Sequence, residues 1–159
     1  DPGHAAVIAR VSHIGYSMSV FRFDTVAGDL TWDPADPSKD QLKVTVEPGS
    51  IATPVPGFAK ELAGPQFLKA AQFPQATFTS TAFRRTSPTA GEVDGSLTLM
   101  GKTAPVTFKV ALVGAGKGFG HPRMGVHATT SLRPADFGMP PMFAEPIELV
   151  IDVEFEKAS

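Results

Sequence analysis

The 159 residues suffice for one domain, 1–159, with a buried core, and 42% apolar content is globular rather than disordered. A net charge of -2 argues against a nucleic-acid partner, no apolar run reaches the length of a membrane span, and zero cysteines exclude disulfides and thiolate chemistry. Fifteen glycines and fifteen prolines suit many short strands separated by turns. The numbering opens at Asp1 without methionine or signal segment, so the expectation is a mature periplasmic or secreted protein whose leader has been removed.

The first strand is expected over His4 to His13, with Val7, Ala9, Val11 and His13 on one face. Gly15 to Trp32 continues as strand, with Phe21 and Phe23 two apart and Gly28 marking a bend or bulge. Asp33-Pro-Ala-Asp-Pro-Ser38 is a loop by composition. Leu42, Val44 and Val46 alternate with Lys43, Thr45 and Glu47 as a third strand, and Glu47 to Gly57 is a second loop. Phe58 to Phe73 is the one helical segment, broken at Gly64-Pro65, where proline cannot continue a helix.

Thr77 to Arg85 is β-rich with its buried face ambiguous. Val93, Leu97 and Leu99, then Val106, Phe108, Val110 and Leu112, alternate with polar residues on two arms of an antiparallel hairpin. Gly101 to Pro105 is the expected link between them. Gly114 to Gly120 reads as a flexible turn and Met124 to Leu132 as a strand. Pro134 to Pro146 is a Pro/Met/Phe-rich loop. Ile147, Leu149, Ile151, Val153 and Phe155 close the chain as a nearly pure alternation. About eight strands with hairpin-scale links give an all-β fold, an eight-stranded antiparallel barrel, with a two-sheet sandwich as the competing arrangement.

No motif for catalysis is present, and the four histidines, His4, His13, His121 and His127, are scattered singly, unlike metal ligands. The expectation is no enzyme and no metal, with His13 buried and hydrogen-bonded. Twelve phenylalanines against one tyrosine and one tryptophan suit a dry interior, since phenylalanine leaves no polar atom unpaired. Small residues on inward parity (Ala9, Gly95, Ala128) would leave room there.

Several stretches carry a family resemblance in order. These are His4, His13-Ile-Gly-Tyr-Ser17, Phe23 with Gly28 and Asp33, Phe67, Phe73-Pro74 and Thr77-Phe-Thr-Ser80. The most specific is Gly95-Ser-Leu-Thr-Leu-Met-Gly-Lys-Thr-Ala-Pro-Val106, followed by Asp136-Phe-Gly-Met139. On these residues the chain resembles the YceI-like family of polyisoprenoid- and lipid-binding proteins across nearly its whole length. The resemblance implies a lipocalin-like barrel, exported to the periplasm and often a homodimer. Its apolar pocket would hold an isoprenoid quinone or a fatty lipid, with no other cofactor, and would draw it through transient membrane contact.

Combined with the alternation, it nominates as pocket residues His13, Phe21, Phe23, Phe58, Leu62, Phe67, Phe78, Leu97, Leu99, Phe108, Met139, Met142 and Phe143. Phe58 to Phe73, with Met139 to Phe143, is expected to cover the mouth and gate it, or else to plug one end. The alternatives to ligand binding are a structural or interaction module and a periplasmic partner of a membrane redox protein.

Overall fold

In the computed structural model, which describes residues 1–118 and 120–158, alternation dictates the chain's course. The strands are β1 (Ala5–His13), β2 (Ser17–Phe23), β3 (Val26–Thr31), β4 (Gln41–Val46), β5 (Ile51–Ala52), β6 (Ala76–Ser87), β7 (Ala90–Leu99), β8 (Lys102–Gly118), β9 (His121–Leu132) and β10 (Ile147–Glu156). All belong to one antiparallel sheet in the order β3-β4-β6-β7-β8-β9-β10-β1-β2-β5. The eight-stranded closed barrel is therefore corrected to ten strands, among the described residues, in a sheet whose ladder does not close.

The extra strands arise at one corner. The expected second strand breaks at Asp24-Thr25, not at Gly28, and its halves β2 and β3 join opposite ends of the sheet. Ser50 fixes the corner: its Oγ accepts from the Asp24 and Thr25 backbone N–H groups at 3.1 and 3.0 Å. β5 then pairs with β2 while β4 pairs with β3, so the two ends are joined through the chain rather than by a ladder.

Turn chemistry sets the hairpins. The β7–β8 link is Met100-Gly101, with φ of 51° and 74°, rather than Gly101 to Pro105. Two positive φ values match the twist of the flanking strands and make the favoured two-residue turn. Pro105 sits within β8 opposite Ser96, where it is tolerated because β9 joins β8 only from Lys109 onward. Gly114 to Gly118 continues β8 against β9 instead of forming a flexible turn, and Phe119 lies outside the described residues. Of the expected helical segment, only Phe58–Leu62 (α1) is α-helix; turns follow to Phe73.

A bulge between Ser80 and Ala82 explains why β6 reads ambiguously. Phe78 faces the interior on one parity; after the extra residue Phe83 and Arg85 face it on the other. Arg84 consequently lies outside, paired with Asp94 and, at 2.9 Å, with Glu92. Its guanidinium, with a 2.6 Å hydrogen bond from Thr107 Oγ1, holds the Asp94 carboxyl down at about 2. A carboxyl lowered on folding stabilises above its unfolded value of 3.8, and that contribution disappears as pH falls through about 2. Asp94→Asn should therefore flatten the stability loss between those values. A melting-temperature profile as steep as wild type over that window would remove Asp94 from the acid response.

Candidate functional site

The sheet encloses two unlike halves. At one end the Met100-Gly101 turn, the 3-10 turn Pro134–Phe137 and the loops after α1 and after β9 form a plug. Phe137, 2% exposed, is its centre, packed with Met100, Ala104, Leu132 and Ile147. Phe67 meets Phe143 edge-on at 5.9 Å, and Phe21 meets Phe58 at 6.2 Å.

The other half is hollow. A cavity of about 400 Å³ opens at the end rimmed by Trp32, Ser87 to Ala90, Leu112 and Phe155, within the size range of small-molecule sites. Its wall is inward-facing strand residues: Val7 of β1, Leu42 and Val44 of β4, Phe83 of β6, Val110 and Leu112 of β8, Met124, Val126 and Ala128 of β9, and Leu149 to Phe155 on alternate positions of β10. The cavity also reaches the side of the sheet. Val26, Ala27 and Gly28 all line it, although successive strand residues face opposite ways, so it wraps around the unpaired edge of β3. Across that opening, Ala5 and Ala6 pair only with β10, because β2 stops opposite Val7.

Polar groups gather at the rim. Asp40 is fully buried, with a side chain 0% exposed; its carboxylate accepts from the Asp33 N–H at 2.7 Å and from Arg85 Nη2 at 3.0 Å. Arg85 also donates to the Asp33 and Pro34 carbonyls, both at 2.5 Å, and its guanidinium stacks 4.1 Å from the centre of the Trp32 ring. One arginine thus fastens the β3–β4 loop and an aromatic wall to the mouth.

Asp1, His4 and Glu154 bring donor atoms within 4.8 Å of one another. Arg123 Nη1 already contacts Asp1 and Glu154 at 2.8 and 2.9 Å, so these carboxylates belong to an ion-pair network.

Of the nominated residues, Phe78, Leu97 and Phe108 line the cavity. Phe21, Phe23, Leu99 and Met139 instead pack against the closed core, and Leu62 is buried beneath α1. Phe58, Phe67 and Phe143 form the plug's ring contacts, and Met142 is exposed. His13, expected inside, is exposed at the end of β1, where it pairs with Ser17 of β2 beyond the last β1–β10 pair, Arg10 with Glu148. The segments expected to gate the mouth lie at the opposite end, where they form the plug. Gly95 does not leave room either, since the Phe78 ring lies over it. The aliphatic wall of β8 to β10 lies outside the nominated set, although the inward parity of Val110, Leu112, Val126, Leu149, Ile151 and Val153 is legible in the alternation.

A curled antiparallel sheet, plugged at one end and hollow around apolar side chains at the other, defines an all-β protein of lipocalin-like architecture. Over residues 1–155 the chain matches the YceI-like domain and belongs to that family. A UPF0312 protein of Pseudomonas putida (strain W619) is 38% identical over 154 residues, covering 95% of this chain and 80% of the relative. Protein YceI of Salmonella arizonae is 36% identical over 155 residues, covering 95% and 81%. Among solved structures, Burkholderia cenocepacia BcnA superposes with a TM-score of 0.86 over 98% of both chains at 20% identity. A polyisoprenoid binding domain from Saccharophagus degradans superposes at 0.69, over 98% of this chain and 94% of its own, at 11% identity.

Proposed function

We propose that the protein binds one long apolar ligand, a polyisoprenoid such as a quinone or a fatty-acid-like lipid, in the hollow half of the sheet and carries or stores it. The observation that carries this reading is the continuous apolar wall around an open cavity of about 400 Å³. The polyisoprenoid-binding description of the Saccharophagus domain points the same way.

Burying a methylene from water gains about 0.8 kcal/mol, but a tail leaving a bilayer is already out of water. Its transfer into the cavity is therefore nearly neutral, which suits reversible carriage better than permanent capture. Selectivity then falls to cavity shape and to the few polar groups at the rim. The reading includes no catalytic step and no cofactor other than the cargo. A periplasmic or secreted setting, implied by the resemblance, belongs to the same proposal and is tested by cell fractionation.

The test is mass spectrometry of an organic extract of the purified protein beside a mock purification, with an enriched quinone or lipid expected. Trp32 is the chain's only tryptophan and lines the cavity, so added quinone should quench its fluorescence. Val126 sits midway down the wall, opposite Leu112 and Val153. Val126→Phe should narrow the cavity midway down and lower quinone affinity at least tenfold while the protein stays folded. A blank extract together with no quenching would favour an interaction module.

A further inference from the structure

The depth of the hollow half is fixed by the sequence. On β8, β9, β10 and β1 the cavity wall ends at Phe108, Ala128, Leu149 and Val7, while on β6 and β4, beside the opening at β3, it runs past Phe78 to Ala76 and Val46. Further along the same strands, Ala104, Leu132, Ile147 and Ala9 belong to the closed core. The floor between these halves is an aromatic pair: Phe78 and Phe108 meet edge-on, 5.0 Å between ring centres and 82° between planes, both buried. Gly95 makes room for the tip of the Phe78 ring against β7.

Resting on the carrier reading above, we infer that the Phe78–Phe108 pair sets the ligand's chain length, and that the cargo is a single chain of ordinary acyl length or a few isoprene units. From Leu149 to Phe155 the wall extends roughly 20 Å along the strand at about 3.3 Å per residue. With strands tilted as in small barrels, that is a depth of roughly 15 Å. A bilayer's hydrocarbon core is about 30 Å thick, so the cavity is about as deep as one leaflet. A polyprenyl tail longer than a leaflet would meet the ring pair or turn out through the opening beside β3; its remainder lies outside the cavity either way, and each further unit would add little.

The experiment measures binding of straight-chain alcohols from octanol to eicosanol, then of geraniol, farnesol, geranylgeraniol and solanesol, by displacement of a fluorescent anilinonaphthalene probe. Affinity should rise about fourfold per methylene while the chain is being buried, the equivalent of about 0.8 kcal/mol. It should break to a plateau or fall once the floor is reached, with solanesol no tighter than geranylgeraniol. Phe78→Leu, and independently Phe108→Leu, should move the break to longer chains. An unbroken rise through the longest alcohols in the wild-type protein overturns the inference and leaves the carrier reading intact. So does a break that stays put in either variant when folded. No binding by any chain removes both.

Discussion

Replacing Gly95 by alanine should destabilise the protein by about 3 kcal/mol, the upper part of the range for overfilling a packed core. A Cβ at this position would lie 2.4 Å from Cζ of Phe78 and 2.4 Å from the Thr79 carbonyl oxygen. The ring can swing aside only toward the cavity it floors, giving up its packing against Leu97, Met100 and Ala104. The carbonyl belongs to β6 beside the Ser80/Ala82 bulge, and moving it disturbs the ladder that turns Phe83 and Arg85 inward. The urea midpoint of Gly95→Ala measures the sum of the two clashes. Adding Phe78→Leu should recover the part due to the ring and none of that due to the carbonyl, so the double variant should be more stable than the two single effects predict by addition. Strict additivity, or a Gly95→Ala protein as stable as wild type, would show that Phe78 is not held over β7 by this glycine.

The same neighbourhood shows what the sequence could and could not tell. Alternation in Val93 to Leu99, Val106 to Leu112 and Ile147 to Phe155 was legible because each strand buries one face, and the family motif through Gly95 to Val106 ran along with it. The corner at Asp24-Thr25 was not legible, because it is made by backbone groups bonding to Ser50 and leaves no side-chain period. Gly114 to Gly118 misread for a related reason: glycine carries no side chain to alternate, yet its backbone pairs with β9 all the same. The hollow was hardest. Phenylalanine content signalled a dry interior but not its distribution: Phe21, Phe58, Phe67, Phe73, Phe137 and Phe143 fill or face the closed end, while mostly aliphatic residues and a few aromatics line the open one. Which half is empty depends on where loops distant in sequence fold back, and no local pattern records that.

Asp40→Ala is expected to be comparably damaging, for an electrostatic reason. The carboxylate has no contact with solvent, and deleting it leaves the Arg85 guanidinium and the Asp33 N–H short of a partner at once. Breaking a buried pair from one side typically costs 3–5 kcal/mol. Here the arginine side chain keeps 26% of its exposure and can recruit water, so about 3 kcal/mol is expected. Asp40→Asn should lose less, since the amide oxygen still accepts from the Asp33 N–H. Removing both charges as Asp40→Ala with Arg85→Met should restore part of the loss, because no uncompensated ion then remains. The loss should also reach the mouth of the cavity. Arg85 ties the Asp33 and Pro34 carbonyls and supports the Trp32 ring, so a slackened arginine frees the β3–β4 loop where it borders the opening. Trp32 emission should shift to the red and quinone should exchange faster in Asp40→Ala, with the chain-length break unmoved because the floor lies at the other end of the wall. An Asp40→Ala protein with wild-type stability, emission and exchange would mean that the loop is held by its backbone alone and that the mouth does not depend on the ion pair.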